Sequence, residues 1–302
     1  MGDLERIGTV AIVGVGLIGG SIGMALRGRG LAGRVVGVGR DPARLEAARR
    51  LGAVDAWTTD IGEGVAGAEV AVVCTPVTRI VEDVLAAADR GPESILVTDA
   101  GSTKARIVAA VERDPRGRAT YVGAHPIAGS ERQGAEHGRA DLLEGRSCVL
   151  TPTPSTRPDR LARARDFWSG LGCRLFEVDP DGHDERLART SHLPHAVAAA
   201  LAASVPPEWL PLAAGAYRDG TRVAAADAAL WAGIFRENRR PLLDSLAAFD
   251  AQLAEFRAAL EADDPARLVA WWDRARAVRA GFPRQEKADE PGPFPGAGPL
   301  PV

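Results

Sequence analysis

Short apolar runs alternate with amphipathic segments along the first part of the chain. The runs have the length and the β-branched content of buried strands, and stretches with helical periodicity separate several of them. They are TVAIV (9–13), RVVGV (34–38), EVAVV (69–73), SILVT (94–98), TYVGA (120–124), SCVLT (147–151) and CRLFEV (173–178). Strands that alternate with helices predict an α/β fold, with a parallel sheet covered by helices on both faces.

The pattern changes near residue 175. From about Gly182 to Ala280 the sequence is rich in alanine and leucine and reads as helices interrupted by prolines. After Gly281 it becomes a proline-rich tail with almost no aliphatic residues, which is typical of disorder. We therefore predict an α/β domain over residues 1–175, an all-helical domain over 176–281 and a disordered tail over 282–302.

The length of 302 residues agrees with two domains, and the composition narrows the functional class. Apolar residues make up 46% and charged residues 25%, as in soluble globular proteins. A net charge of -3 offers no basic surface for nucleic acid, and the sequence contains no apolar run long enough to span a membrane. Three scattered cysteines, without a secretion signal, favour a reduced cytoplasmic setting and exclude a thiolate metal cluster.

A glycine-rich turn joins the first predicted strand to the first predicted helix. Gly14, Gly16 and Gly19 form the pattern G-x-G-x-x-G, which is typical of the pyrophosphate-binding turn of Rossmann-like dinucleotide-binding domains. The helix N-terminus behind this turn offers free N–H groups and the positive end of the helix dipole to the phosphates. The predicted cofactor contacts here are Gly14, Val15, Gly16, Leu17, Ile18 and Gly19. A plain turn or a methyltransferase-like loop is the alternative.

The end of the second predicted strand bears on the choice between NAD and NADP. Many NAD-binding domains place an acidic residue there to accept from the ribose hydroxyls, but this sequence has Gly39 followed by Arg40. The guanidinium of Arg40 is suited to a 2'-phosphate, which favours NADP. Asp41 follows and could still reach the ribose of NAD, so NAD stays open.

Three further segments with polar residues follow predicted strands. They are Cys74-Thr75-Pro76-Val77, Asp99 to Lys104 and the stretch that begins at His125. Open α/β sheets bind ligands beyond the carboxyl ends of their strands, so we expect these segments around one cleft, with Thr75, Pro76 and Val77 near the cofactor. A histidine there is suited to accept a proton near neutral pH. A purely structural histidine is the alternative.

These motifs resemble the prephenate/arogenate dehydrogenase family of tyrosine biosynthesis. The resemblance rests on GVGLIGGS (14–21), CTPV (74–77), DAGSTK (99–104), HPIAGSE (125–131), SHLPHA (191–196) and DGTRVAAADAALW (219–231). It implies an NAD(P)-dependent oxidative decarboxylation of prephenate to 4-hydroxyphenylpyruvate, with arogenate as the competing substrate. It also implies a homodimer formed by the helical domain.

The resemblance assigns roles to individual residues. His125 matches the family's catalytic histidine and Ser102 the serine that orients it beside the cofactor. Arg222 matches an arginine that binds a substrate carboxylate, and His195 lines the substrate pocket. Weaker matches near the pocket entrance are Glu131, Asp184 and Arg218, and Ser130 is a further predicted substrate contact.

Several of these residues have structural alternatives. Ser102 could instead cap a helix that begins at Thr103. Arg222 could pair with Asp219 or Asp227. His192 and His195 share a helix face and could bind a metal, but no set of acids or thiols completes such a site, so we expect no metal. His137 and His183 are expected at the surface or behind other site residues.

Two other functions are considered. A β-hydroxyacid dehydrogenase has the same two-domain plan, but it needs a lysine in its helical domain, and the chain's lysines are Lys104 and Lys287 in the tail. A non-catalytic dinucleotide-sensing protein would have to match Ser102, His125 and Arg222 by accident. Both functions explain fewer of these residues than a prephenate/arogenate dehydrogenase does.

Overall fold

A six-stranded parallel sheet forms the centre of the first part of the chain. The computed structural model describes residues 6–129 and 132–282. The strands of this sheet are β1 (Ile7–Val13), β2 (Ala32–Val38), β3 (Ala56–Thr58), β4 (Val70–Val73), β5 (Leu96–Asp99) and β6 (Tyr121–Val122). Their order is β3-β2-β1-β4-β5-β6, and all neighbours are parallel. The chain therefore reverses its direction of winding between β1 and β4, which is where such folds bind dinucleotides.

Helices cover both faces of this sheet. They are α1 (Leu17–Gly28), α2 (Pro42–Arg50), α3 (Ile61–Val65), α4 (Ile80–Arg90), α5 (Ala105–Val111), α6 (Pro115–Thr120) and α7 (Pro158–Gly170). In β1, Val10 and Ile12 pack in one apolar cluster with α1 and α7, whereas Ala11 and Val13 pack in another with α4 and α5. Alternate residues of a strand point to opposite faces, which explains why β1 is apolar at four consecutive positions, 10–13.

A second, smaller sheet corrects the expectation that all the apolar runs join one sheet. It consists of β7 (Ala124–Pro126), β8 (Ser147–Leu150) and β9 (Arg174–Glu177). Strands β7 and β8 are antiparallel, and β8 and β9 are parallel. The run predicted over 120–124 divides at Gly123, where the Thr151 backbone N–H binds the Gly123 carbonyl oxygen at 2.9 Å. The short strand β3 was not predicted.

Every regular element after β9 is helical within the described residues. The helices are α8 (Pro180–Leu187), α9 (Leu193–Ala203), α10 (Gly215–Thr221), α11 (Ala228–Glu237), α12 (Arg239–Glu261) and α13 (Pro265–Ala280). A single π-helical turn, Ala188–His192, joins α8 to α9, and Pro194 lies in the first turn of α9. Strands thus give way to helices close to residue 175, while the domain limits themselves stay a prediction. The predicted disordered tail lies outside the described residues, apart from Phe282.

The chain separates into two compact units after Leu246, within α12. The first unit contains both sheets and α1 to α11. In the second unit, Phe256 of α12 and Trp271 of α13 have ring centroids 4.9 Å apart. The same two helices are linked by an ion pair of 2.5 Å between Glu255 and Arg274. The site described below lies in the first unit.

Candidate active site

The glycine turn after β1 has the geometry that a close backbone approach requires. Gly14 has a φ of 95°, and a Cβ on it would lie 2.9 Å from the Cys74 carbonyl group. A Cβ on Gly19 would collide with the Gly14 carbonyl oxygen, so this glycine lets α1 pack against the turn. A Cβ on Gly16 would meet nothing within 4 Å, and no side chain caps the N-terminus of α1. The turn therefore leaves open space in front of free N–H groups, which fits a dinucleotide pyrophosphate. Val15, Leu17 and Ile18 are half-buried around it.

The segment after β4 lies directly beside this turn. The Cys74 backbone N–H donates to the Val13 carbonyl oxygen at 2.7 Å, which places the two strand ends side by side. The Thr75 hydroxyl donates to the buried carboxylate of Asp83 at 2.7 Å, so its side chain already has a partner. Pro76 is exposed, whereas Val77 packs in the apolar cluster that contains Ile234 of α11. The structure thus brings this segment and the glycine turn to one edge, as expected from the sequence.

Beyond β2, Arg40 is exposed and Asp41 caps helix α2. The Asp41 carboxylate accepts hydrogen bonds from the backbone N–H groups of Ala43 at 2.9 Å and Arg44 at 3.3 Å. Both hydrogen bonds use Oδ1, and Oδ2 lies 3.5 Å from Nε of Arg44.

Asp99, at the end of β5, organises the segments that carry Ser102 and His125. One carboxylate oxygen accepts from the Gly101 backbone N–H at 2.9 Å, and the other accepts from the Ala124 N–H at 3.0 Å. The same carboxylate binds the fully buried ammonium of Lys104 and the hydroxyl of Tyr121. Gly101 and Ala124 directly precede Ser102 and His125, so one buried carboxylate holds both segments in place.

His125 is buried and forms the first link of a chain of polar side chains. Its Nδ1 lies 2.9 Å from Nε2 of His183, and Nδ1 of His183 lies 2.8 Å from a carboxylate oxygen of Asp184. Burial, with the charges of His183, Lys104 and His192 as smaller contributions, holds the pKa of His125 well below its ordinary value. Burial also lowers the pKa of His183, although the neighbouring Asp184 opposes this. Both histidines are therefore neutral near pH 7.

Asp184 lies in the interior rather than near a pocket entrance, which corrects the expectation from the sequence. Only 2% of it is exposed, and its carboxylate accepts from the backbone N–H groups of Lys104 at 2.8 Å and Ala105 at 3.0 Å. It thereby caps α5 from outside that helix. The capping alternative for Ser102 is wrong, because α5 begins at Ala105, and Ser102 lies half-buried in the loop before it.

A second histidine cluster surrounds Trp231 of α11. The ring of His195 stacks on the Trp231 ring at a centroid distance of 3.6 Å, and its Nδ1 donates to the Ser191 carbonyl oxygen at 2.9 Å. His192 is buried, and burial lowers its pKa to about 4. The Asn238 amide donates to the Asp184 carbonyl oxygen at 2.7 Å and lies 2.9 Å from Nδ1 of His192. Asp184 therefore contacts both groups: its carboxylate binds His183, and its backbone carbonyl oxygen accepts from the Asn238 amide.

The predicted carboxylate-binding arginine, Arg222, is exposed in the turn after α10. It lies close enough to His195 for its charge to add to burial in lowering the pKa of that histidine. Asp219, one alternative partner, binds Arg218 at 3.1 Å. Asp227, the other, accepts from the Leu230 backbone N–H at 2.6 Å and caps α11. Arg218 is an exposed residue of α10, and its predicted role at the pocket stays a prediction.

The remaining predictions concern Ser130 and Glu131, a metal site and a membrane-spanning helix. Ser130 and Glu131 lie outside the residues that the structure describes. Within residues 6–129 and 132–282, the acids, cysteines and histidines form no cluster that could hold a metal ion. The same residues include no helix that is long and apolar enough to cross a membrane.

The sequence did not identify His183 as a partner of His125. The two are 58 positions apart, and His183 lies within α8 rather than after a strand. A signal was present in the adjacent pair His183-Asp184, since a carboxylate next to a buried histidine often fixes the orientation of its ring. The sequence likewise gave no indication that Lys104 is fully buried against Asp99.

Both parts of the chain match known protein families. The nucleotide-binding domain of prephenate dehydrogenase matches residues 22–177, and its dimerization domain matches residues 179–274. The chain is 30% identical to prephenate dehydrogenase of Bacillus subtilis (strain 168) over 290 residues, which cover 94% of this chain and 78% of that protein. It is 31% identical to cyclohexadienyl dehydrogenase of Zymomonas mobilis over 277 residues, which cover 89% of this chain and 94% of that protein.

A solved structure is similar over nearly the same length. It is the prephenate dehydrogenase from A. aeolicus in complex with hydroxyphenyl propionate and NAD+, with a TM-score of 0.85 and 31% sequence identity. The superposition covers 91% of this chain and 98% of that one. The similarity therefore extends over the sheets and the helical part alike.

Proposed function

Because this chain belongs to the prephenate dehydrogenase family and is a nicotinamide-dependent oxidoreductase, we propose that it oxidises and decarboxylates prephenate to 4-hydroxyphenylpyruvate. The observation that carries the proposal is the buried, neutral His125 in the strand that follows the cofactor-binding sheet. A neutral imidazole in this strand is suited to take the proton of the substrate's ring hydroxyl.

The residues of the first unit fit a dinucleotide cofactor. The open space at Gly16, the uncapped N-terminus of α1 and the adjoining Thr75-Pro76-Val77 segment would hold it. When bound, its nicotinamide ring supplies the acceptor for the hydride that leaves the substrate. The protein contributes orientation, exclusion of water and the movement of one proton.

Four residues of the chain are proposed to act on the substrate. His125 takes the hydroxyl proton, and Ser102, in the segment fixed by Asp99, orients the hydroxyl. Arg222 binds a carboxylate, which its planar guanidinium does well. His195 forms part of the pocket wall, held against Trp231 by stacking. Further contacts with the substrate are proposed for Ser130, Glu131 and Arg218.

NADP is the proposed cofactor, with NAD as the alternative. The exposed position of Arg40 directly after β2 supports NADP. The A. aeolicus relative was solved with NAD+, so the comparison must be made directly. Tighter binding of NAD than of NADP would overturn the role given to Arg40.

The proposed function is tested by following reduced nicotinamide by absorbance in four reactions. Prephenate and arogenate are each combined with NAD and with NADP. We expect turnover of prephenate, faster with NADP. Faster turnover of arogenate would favour the competing substrate, a reasonable rival because a relative is a cyclohexadienyl dehydrogenase. If folded protein shows no turnover in any of the four reactions, the proposal that it is a dehydrogenase of prephenate or arogenate is overturned.

Replacing His125 tests its role in the same assay. We expect His125→Asn to lower kcat by about 100-fold or more, which is the scale of a general base contribution. Dissociation constants for the cofactor should stay near those of the unchanged protein. A variant with full turnover would exclude His125 as the base.

We also propose that the protein forms a homodimer through its helical part and works in the cytoplasm. The match of residues 179–274 to a dimerization domain supports the dimer. The cytoplasmic location rests on the sequence alone and stays a prediction.

A further inference from the structure

Three buried side chains, those of His125, His183 and Asp184, form a continuous hydrogen-bonded chain. The distances are 2.9 Å between the two histidines and 2.8 Å between His183 and Asp184. The exposed fraction is 9% for His125, 1% for His183 and 2% for Asp184. Side chains so deeply buried have little access to water, so they depend on one another for their hydrogen bonds.

The chemistry of the acceptor determines where these protons lie. The Asp184 carboxylate already accepts from two backbone N–H groups of the α5 terminus, so it acts as an acceptor toward His183 as well. His183 must therefore donate to it from Nδ1. In neutral His183 this leaves Nε2 as a lone-pair acceptor, and His125 must then carry its proton on Nδ1. The lone pair of neutral His125 is consequently on Nε2.

The charged and titratable groups beside this hydrogen-bonded chain lie at the end of β5, directly before α5 and in the π-helical turn after α8. Asp99 and Lys104, at the end of β5 and before α5, form a buried ion pair. His192 belongs to the π-helical turn after α8 and is neutral, since burial lowers its pKa to about 4. Lys104 disfavours a positive charge on either histidine, whereas Asp184 favours one on His183.

We propose that His183 is a positioning residue for the reaction, which holds His125 in the tautomer with its proton on Nδ1. This inference rests on the proposed function. His125 thereby presents the lone pair of Nε2 to the substrate hydroxyl. When Nε2 takes that proton, the Nδ1–H of the resulting imidazolium stays bonded to His183, which is itself bonded to the Asp184 carboxylate. The positive charge on His125 is thus connected to the Asp184 carboxylate through the imidazole of His183.

The tautomer is measured directly by nuclear magnetic resonance on protein labelled with 15N-histidine. The chain contains five histidines, and the spectrum of His125→Asn identifies the His125 signals by their loss. We expect His125 in the unchanged protein to be protonated on Nδ1 alone. A proton on Nε2, or a rapid mixture of the two tautomers, would overturn the proposal. This measurement needs neither substrate nor turnover.

Two substitutions of His183 separate positioning from space filling. In His183→Gln, the side-chain amide donates to Asp184 and its carbonyl oxygen accepts from His125, so the tautomer is kept. In His183→Leu, the volume is largely kept but the acceptor is lost. The matched control is His137→Gln, since His137 is exposed. It should behave as the unchanged protein in every measurement.

The expected results are two kinetic changes and one spectroscopic change. His183→Leu should lower kcat by about 100-fold, the scale of a lost acid-base contribution, with KM for substrate and cofactor changed little. His183→Gln should recover at least a tenth of the original kcat. The His125 signals should show mixed tautomers in the leucine variant and Nδ1 protonation in the glutamine variant.

Two results would overturn the proposal. One is full kcat in His183→Leu, and the other is an equal loss of kcat in both His183 variants with the His125 tautomer unchanged. If the leucine variant does not fold, the unchanged protein and the glutamine variant still decide. An unchanged protein that turns over none of the four substrate and cofactor pairs counts against the proposed function, whatever its tautomer.

Discussion

At the scale of single residues, the surroundings determine what each histidine can do. His125, His183 and His192 are buried, which lowers the pKa of each and keeps the rings neutral near pH 7. His137 is exposed, and His195 is half-buried on Trp231. Neutral imidazoles have one donor and one acceptor, so their hydrogen-bond partners fix the direction of proton movement. One residue type is therefore proposed as a base, a positioning group and a pocket wall.

Arg222 is the residue whose replacement should affect substrate binding most selectively. We expect Arg222→Gln to weaken binding of the substrate by about 2 to 4 kcal/mol, because it loses a charge-assisted hydrogen bond to a carboxylate. This should appear as a raised KM, with kcat changed little. Steady-state kinetics with prephenate provide the measurement, and Arg236→Gln, at an exposed position of α11, is the control. A lowered kcat with unchanged KM would contradict the assigned role.

The sequence identified residues of the site that follow strands, but not their partners. Gly14, Gly16 and His125 could be predicted as candidates because the end of a strand in an α/β sheet is a known location for ligands. His183 and Asp184 could not be placed, because their contacts join positions about 60 to 80 residues apart and depend on how α8 packs. Ser130 and Glu131 are predicted site residues without a structural description.

At the scale of elements, the glycine turn and α1 offer a matched pair of substitutions. Gly16→Ala adds a methyl group to open space, so the protein should keep its melting temperature. The same methyl group would occupy the approach to the pyrophosphate, and we expect cofactor binding to weaken by about tenfold or more, which is ~1.4 kcal/mol. Titration with reduced cofactor, followed by fluorescence, measures this change. Unchanged affinity would mean that the phosphates do not approach Gly16.

The control is Gly19→Ala, in which the added methyl group meets the Gly14 carbonyl oxygen. Crowding of this kind costs about 1 to 3 kcal/mol of stability, so its melting temperature should fall. The two variants thus separate a glycine needed for a ligand from one needed for packing.

The cap that Asp184 provides for α5 joins two elements that are distant in sequence. Asp184→Ala removes the cap and leaves the Nδ1–H of buried His183 without its acceptor. We expect the free energy of unfolding to fall by about 2 to 4 kcal/mol, the sum of a lost cap and a buried unpaired donor. Urea unfolding measures it. Asp114→Ala, which removes the cap of α6 alone, should cost about 1 kcal/mol and leave kcat unchanged.

Local pattern predicted most elements of the fold and failed where two sheets meet. Positions 10–13 of β1 and all of β4 are continuous apolar runs, which their position between two helical layers explains. The apolar pattern over 120–124 does not by itself show that two sheets meet at Gly123, although a glycine inside a strand pattern often marks a bend. Strand β3 has three residues, too few for a periodic signal.

At the scale of the whole molecule, apolar side chains remain exposed on the last two helices. Leu253 and Leu260 lie seven residues apart, on one face of α12, and are 42% and 52% exposed. On α13, Val269 and Trp272 are 61% and 66% exposed. Clusters of exposed apolar side chains mark surfaces that associate. They therefore support the proposed dimer, whose formation would remove these side chains from water.

The oligomeric state is the last prediction and follows from these exposed positions. We expect the unchanged protein to have about twice the chain mass of 31.7 kDa in light scattering at micromolar concentration. Leu260→Glu should shift it towards the monomer, because a carboxylate buried in an apolar interface loses its hydration without gaining a partner. Leu51→Glu makes the same change at a similarly exposed position, 47%, at the end of α2, and should leave the mass unchanged. A monomeric unchanged protein would contradict the proposed dimer, and a dimeric Leu260→Glu variant would exclude this face of α12 as its interface.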